Sequence, residues 1–163
     1  MTEKATVESL LDPATDTPPA LMCSIARSLC VVGERWTFLI LREAFWGSTR
    51  FSEFRDRLGI APDVLTDRLA TLTEAGVLTR EPYQEPGRRV RDAYRLTPAG
   101  RQLQIVLGAL QQWGDDHLPP PGGPTVTRRA PDGRPVHIGF IDPDGHEIPA
   151  DEVEFARTAN YPS

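Results

Sequence analysis

Apolar residues recur at the spacing of a helix face in two short, neighbouring segments of the chain. The first segment ends at Gly59, and the second begins at Pro62 and ends at Gly76. Two short helices joined this tightly predict a helix-turn-helix, although the pattern alone fits an ordinary helical hairpin equally well. Their apolar positions are Phe51, Phe54, Leu58, Leu65, Leu69 and Leu72.

A strand pattern follows the second helix directly. Residues 77–79 are strand formers, and Tyr83 extends the run. An arginine-rich Pro-Gly turn then precedes a second alternating run through Tyr94 and Leu96. A hairpin tipped with arginine predicts a wing whose guanidinium groups pair with phosphates, and the alternative is a solvated charged turn. The turn residues are Gln84, Glu85, Pro86, Gly87, Arg88, Arg89, Val90 and Arg91.

Three further helices are predicted around this segment. Residues 24–33 form a short helix, and residues 35–46 form one that is apolar on nearly all sides, which predicts a buried position. A long helix is capped by Thr97 and starts at Pro98. Its main apolar stripe is Leu103, Val106, Leu107, Leu110 and Trp113.

The long helix carries a second apolar strip, formed by Ile105 and Ala109. Together with the helix at 24–33, this strip predicts a dimer surface. A two-fold dimer would contact half-sites roughly 34–36 Å apart on DNA. The alternative is that Ile105 is a lone exposed apolar residue.

Composition divides the chain into four parts, and the fold class predicted is mainly α with small β (α+β). Residues 1–20 form a flexible tail, and residues 21–118 form the winged helix-turn-helix domain for DNA binding and dimerisation. Residues 119–124 are a Pro/Gly linker, and residues 125–163 form a small β-meander extension. The turns of this extension are the Pro-Asp-Gly sequences at 131–133 and 143–145.

Charge is unevenly distributed along the 163 residues. The net charge is -5 and the pI about 5.2, yet residues 24–101 hold 13 Lys and Arg against 10 Asp and Glu. The acidity therefore lies at the two ends, and the central segment is mildly basic. This permits DNA binding, although it is weaker than the basic footprint usual for such a domain.

Several classes of protein are disfavoured by composition. No run approaches about 18 apolar residues and no signal pattern opens the chain, so a cytoplasmic protein is expected. Two cysteines without a C-x-x-C pair disfavour a disulfide framework or a zinc site, and His137 and His146 are expected to be surface residues rather than metal ligands. No cofactor is predicted. No nucleophile–base set or phosphate-binding glycine loop stands out, so an enzyme is not expected.

From Met22 to His117 the chain resembles the HxlR-type bacterial transcription regulators. The resemblance implies a homodimeric DNA-binding regulator, and some members of that family respond to oxidants or electrophiles through an N-terminal cysteine. The matching segments are Cys23–Ala26, Val32–Thr37, Ile40–Glu43, Arg50–Phe51, Val64–Leu69, Glu74–Leu78 and Tyr94–Gly100.

The candidate DNA contacts lie on a recognition helix at 62–75, placed in the major groove, and on a wing at 84–92, placed on the backbone. Asp63 and Asp67 point away from the predicted core, and they depart from the basic or amide residues expected of the family. Arg68 has an alternative ion pair with Asp67 or Glu74. The predicted contacts are Arg50, Ser52, Asp63, Thr66, Asp67, Arg68, Arg88, Arg89 and Arg91.

Cys23 occupies the sensing position that the resemblance implies. It would lie at a helix N-terminus with Arg27 one turn on, both of which favour a thiolate. The alternative is a small buried apolar residue. Cys30 lies seven residues later, about 10.5 Å along a helix, which is too far for an internal disulfide. A disulfide between the Cys23 residues of two subunits remains an alternative.

Two other functions compete with DNA-binding regulation. One is a small-molecule sensor, with an effector pocket near the dimer contact. The other is a protein-interaction module that kept the winged scaffold while DNA binding weakened or was lost, which the acidic helix face favours. The aromatic residues of the candidate pocket are Trp36, Phe45, Trp46 and Trp113, for which a core position is the simpler expectation.

Overall fold

The computed structural model of the protein describes residues 23–159 and residue 161, so the predicted tail at 1–20 lies outside the described residues. The predicted fold class, mainly α with small β, is confirmed. In chain order the elements are α1 (Ser24–Val32), α2 (Arg35–Phe45), α3 (Phe51–Leu58), α4 (Pro62–Glu74), β1 (Leu78–Tyr83), β2 (Arg91–Leu96), α5 (Pro98–Gln102), α6 (Gln104–His117), β3 (Phe140–Ile141), β4 (Glu147–Ile148) and a 3₁₀ turn (Ala150–Glu152).

Two compact units make up the described chain. Among the described residues, the first runs from 23 to 102 and includes Ala159 and Tyr161, and the second is Leu103–Thr158. Helices α1 to α5 and the wing strands belong to the first unit, whereas α6 groups with the C-terminal segment. The Pro/Gly-rich residues 119–124 therefore lie inside the second unit.

Apolar faces of α2, α3 and α4 form the core of the first unit. The predicted stripe of Leu65, Leu69 and Leu72 is fully buried, as is Phe54 of α3. Burying one leucine side chain contributes about 1.5–3 kcal/mol, so three on one stripe strongly favour this orientation of α4. The opposite face of α4 is consequently left to solvent.

The connection between α3 and α4 follows the sequence prediction. Gly59 ends α3 in the left-handed conformation, with φ of 61°, and Pro62 begins α4. At the start of α3, the backbone N–H groups of Thr49 and Arg50 donate to the Glu53 carboxylate at 2.8 and 2.9 Å. These two bonds are the main cause of a lowered pKa at Glu53. The helix-turn-helix is therefore held by contacts close in sequence.

Helix α2 is buried along one face rather than all round. Its buried residues are Thr37, Ile40, Leu41 and Glu43. The Arg35 guanidinium lies 4.7 Å from the Trp36 ring centre, and the Arg42 guanidinium lies 5.2 Å from that of Trp46. Apart from exposed Arg35, the other residues of α2 are half-buried. The helix packs on α1, α3, α4 and β2, so it lies at the centre of the first unit as predicted, although only one of its faces is fully buried.

Strands β1 and β2 form the predicted hairpin, which pairs from Leu78 opposite Leu96 to Tyr83 opposite Arg91. The segment before α3 extends this sheet. Arg50 bridges Ala93 in antiparallel fashion, and the Tyr94 N–H donates to the Thr49 carbonyl at 2.7 Å. The wing is thus hydrogen-bonded to the start of the helix-turn-helix.

The long helix predicted from Pro98 is divided at Leu103 into α5 and α6. Thr97 caps α5 as predicted, accepting from the Gly100 N–H at 3.0 Å and donating to the Gly76 carbonyl at 2.6 Å. A Cβ built on Gly100 would lie 2.1 Å from the Val77 carbonyl oxygen, so glycine is required for this close packing.

In the second unit, polar side chains of α6 anchor the C-terminal segment. Gln112 both donates to the Ile138 carbonyl and accepts from the Ile138 N–H, at 2.9 and 2.8 Å. Gln111 donates to the Val126 carbonyl at 2.7 Å. Strand pairing here is shorter than a full meander, since β3 and β4 pair over two residues each. These contacts explain why α6 groups with the extension.

Candidate nucleic-acid interface

The solvent face of α4 carries three of the predicted contacts. Asp63, Thr66 and Asp67 are exposed, on the side of the helix opposite the buried leucines. The Thr66 hydroxyl donates to the Pro62 carbonyl at 2.8 Å, so the hydroxyl oxygen can only accept a further hydrogen bond. Two carboxylates therefore dominate the first half of this helix.

The ion-pair partner of Arg68 differs from the two partners predicted on its own helix. Its guanidinium lies 3.9 Å from the carboxylate of Glu34, the residue that precedes α2, instead of pairing with Asp67 or Glu74. The Arg68 side chain is 21% exposed, which is less than expected for a free surface arginine. The sequence missed this contact because Glu34 lies 34 positions away and is brought close only by packing.

The wing turn is well defined. The Arg88 N–H donates to the Glu85 carbonyl at 3.0 Å, and Gly87 adopts a φ of 72°, as a type II turn with proline before glycine requires. Gln84 closes the loop further by donating to the Arg88 carbonyl at 3.0 Å. The turn therefore projects its arginines from a fixed backbone.

Arg88, Arg89 and Arg91 are all exposed. Within the described residues, none of these three guanidinium groups lies in an ion pair. Many other arginines of the described chain are paired with carboxylates. The paired set is Arg42, Arg50, Arg55, Arg57, Arg68, Arg95, Arg128 and Arg134. The wing thus concentrates positive charge that the protein itself does not neutralise.

The two predicted contacts before the helix-turn-helix are placed differently. Ser52 lies half-buried in the first turn of α3. Arg50 is half-buried, and its guanidinium lies 2.6 Å from the Glu85 carboxylate of the wing. Arg80 is exposed on β1, in the first strand of the wing. It was not among the predicted DNA contacts, although its position in the wing could have indicated it.

Cys23 precedes α1 and is half-buried, while Cys30 is exposed on the same helix. The backbone N–H groups of Ala26 and Ile25 lower the pKa of the Cys23 thiol, and Arg27 adds to this. Because one continuous helix separates the two thiols, an internal disulfide would require α1 to unfold.

The four aromatic residues of the candidate effector pocket do not form a buried core. Trp36 and Phe45 are half-buried, and Trp46 is 52% exposed, all on or just after α2. Trp113 is 56% exposed and belongs to the second unit. The expectation of a core position was therefore wrong for Trp46 and Trp113, whereas Trp36 and Phe45 are partly buried.

Two histidine–carboxylate pairs lie in the extension, at 2.7 Å between His137 and Glu147 and 3.4 Å between His146 and Asp142. Among residues 23–159, no three His, Cys, Asp or Glu side chains are grouped so that they would hold a metal ion. In the same part of the chain, no helix has the length and apolar character needed to cross a bilayer.

A helix-turn-helix with a hydrogen-bonded wing defines the winged-helix class. A sequence model of the HxlR-like helix-turn-helix family matches residues 31–121, more than half of the chain. The chain belongs to this family, whose curated relatives are named as HTH-type transcriptional regulators.

Individual relatives agree with this assignment. The chain is 48% identical to the uncharacterized regulator Rv3095 of Mycobacterium tuberculosis over 106 residues, which are 65% of this chain and 66% of that protein. The crystal structure of PA1607, described as a candidate transcription factor, is similar at a TM-score of 0.71 and 38% identity, covering 83% of this chain and 95% of that one. The redox regulator HypR in its reduced form is similar at a TM-score of 0.53 and 28% identity, covering 59% and 94%.

Proposed function

We propose that this protein is a cytoplasmic, homodimeric regulator that binds operator DNA, with α4 in the major groove and the wing on the phosphate backbone. The observation that carries the proposal is the set of unpaired arginines at 88, 89 and 91 on a hydrogen-bonded turn. Phosphates neutralise such charge and release their counterions, which is the main source of affinity in protein–DNA complexes.

Exposed apolar residues support the dimer. Ile25 and Leu29 of α1 are exposed in the first unit, and four large apolar residues of α6 are exposed in the second. Soluble chains seldom leave so many large apolar side chains in water without a partner surface. The exposed residues of α6 are Ile105, Val106, Leu110 and Trp113.

Binding to duplex DNA tests this proposal directly. The wild-type protein should bind a duplex selected from random sequences, and its affinity should fall steeply between low and moderate salt. Fluorescence anisotropy over a salt series measures both the dissociation constant and the slope. An absence of binding at low salt would favour the alternative, an interaction or small-molecule-sensing module on a winged scaffold.

Arg68→Ala provides the sequence-specific counterpart within the same assay. Arg68 lies on the flank of α4, 3.9 Å from the Glu34 carboxylate. If it turns from this carboxylate to a base edge when DNA binds, its loss should alter the base preference of the selected duplex. Asp67→Asn is the comparison variant, because it removes a charge from the neighbouring residue on the exposed face of α4. A selected sequence identical to that of the wild type would exclude Arg68 from base contact.

A redox response through Cys23 is a second proposal, supported by the lowered pKa of its thiol and by the likeness to a redox regulator. Two Cys23 thiols from two subunits would form one disulfide, losing two protons and two electrons to an oxidant such as a peroxide. The thiolate is the reacting form, so the depressed pKa favours this step.

Oxidation should therefore release the wild-type protein from DNA, and Cys23→Ser should remain bound. Cys30→Ser is the matched control, because Cys30 is the more exposed thiol and shares the helix. Non-reducing gel electrophoresis and anisotropy follow the disulfide and the DNA together. Equal release from wild type and Cys23→Ser would eliminate Cys23 as the sensor.

A further inference from the structure

Arg50 joins three parts of the first unit. Its backbone bridges Ala93 of β2, and its N–H donates to the Glu53 carboxylate of α3. Its side chain reaches the wing, where the guanidinium lies 2.6 Å from the Glu85 carboxylate and 4.8 Å from the ring centre of Tyr83. One residue thus links the start of α3 to the end of β1 and to the wing turn.

We propose that Arg50 is a positioning residue for the wing, its guanidinium held between the Glu85 carboxylate and the Tyr83 ring. The consequence of this role for DNA binding rests on the proposed function. The Arg50 and Glu85 side chains are each 42% exposed, so the ion pair alone would hold the loop weakly, and the contact of the guanidinium with the Tyr83 ring adds to it. Residues 86–90 of the turn are exposed, and the hydrogen bonds that close the turn do not fix its position against α3.

This role differs from the phosphate contact predicted for Arg50. The Glu85 carboxylate lies 2.6 Å from the Arg50 guanidinium, so a phosphate at Arg50 would meet this negative charge and be repelled by it. The neighbouring arginines at 88, 89 and 91 are already unpaired, so they neutralise phosphate at no such cost. A fixed turn also reduces the entropy lost when these side chains bind.

Backbone hydrogen exchange without DNA tests the proposal. Arg50→Gln and Glu85→Gln should each accelerate exchange of the hydrogen-bonded Arg88 amide and of the strand amides next to the turn by about fivefold, because each change removes the same contact. The double variant should exchange no faster than either single variant, since the pair acts as one unit. Glu85→Gln lies in the turn and leaves the Arg50 backbone in the sheet, so it tests the contact even if Arg50→Gln perturbs folding.

Arg55→Gln is the matched control, since Arg55 lies on α3 and pairs with its neighbour Asp56. It should leave exchange in the wing unchanged. Unchanged wing exchange in both Arg50→Gln and Glu85→Gln would overturn the proposal. The exchange experiment needs no DNA, so a wild type that fails to bind DNA would refute the proposed function separately.

Discussion

Replacing both Arg88 and Arg89 with alanine is expected to weaken binding to every duplex by about 10- to 100-fold, because two charge-assisted phosphate contacts are lost. Both side chains are exposed on a turn closed by the bond from the Arg88 N–H to the Glu85 carbonyl. The substitutions truncate side chains and keep that backbone bond, so the fold should be preserved.

The dependence on salt identifies the cause of the loss. Each phosphate contact contributes roughly 0.9 to the slope of log K against log salt, so the double variant should lose about 1.8 from the slope. Sequence preference should stay unchanged, since phosphates carry no base information. Anisotropy with a selected duplex and a scrambled duplex separates these effects.

Arg134→Ala is the matched control for the wing. Arg134 is highly exposed, but it belongs to the second unit and pairs with Asp132. Its loss should leave both the affinity and the salt slope close to those of the wild type. If the Arg88→Ala, Arg89→Ala double variant bound DNA as tightly as the wild type, the wing would not be part of the DNA interface.

Leu69→Ala should lower the free energy of unfolding by about 3–4 kcal/mol. Leu69 is fully buried between Leu65 and Leu72 on the inner face of α4, so truncation leaves a cavity in the centre of the first unit. In a unit of this size the loss corresponds to a melting temperature lower by roughly 12–32 °C. Urea denaturation at fixed protein concentration measures the change.

Leu118→Ala is the same chemical change at an exposed site. Leu118 is 69% exposed just after α6, and its truncation should cost less than about 1 kcal/mol. If the two variants were equally stable, α4 would not be anchored through its leucine stripe. The orientation assigned to its acidic outer face would then have no support.

Local patterns made the helix-turn-helix and its hairpin predictable. Gly59 and Pro62 mark the boundary of two helices because each residue type restricts the backbone where it stands. The turn at Pro86 and Gly87 was equally local, since it closes over four residues. The leucine stripe of α4 also followed from spacing alone.

Contacts between distant segments were not predictable in this way. Arg50 was assigned to phosphate from its position, but it pairs with Glu85, 35 residues later. Arg68 was predicted to contact DNA, with an ion pair to Asp67 or Glu74 as the alternative, but its guanidinium lies beside Glu34. In each case several carboxylates were available, and only packing decides which one comes within reach.

The amino-acid sequence by itself determined the order of the elements, the buried face of α4 and the arginine-rich turn. The reason is that helix spacing, glycine and proline act within a few residues. Only the tertiary structure decided which arginines are already neutralised. The guanidinium groups of Arg50 and Arg68 are held by carboxylates from distant segments, whereas those of Arg88, Arg89 and Arg91 remain open to a partner.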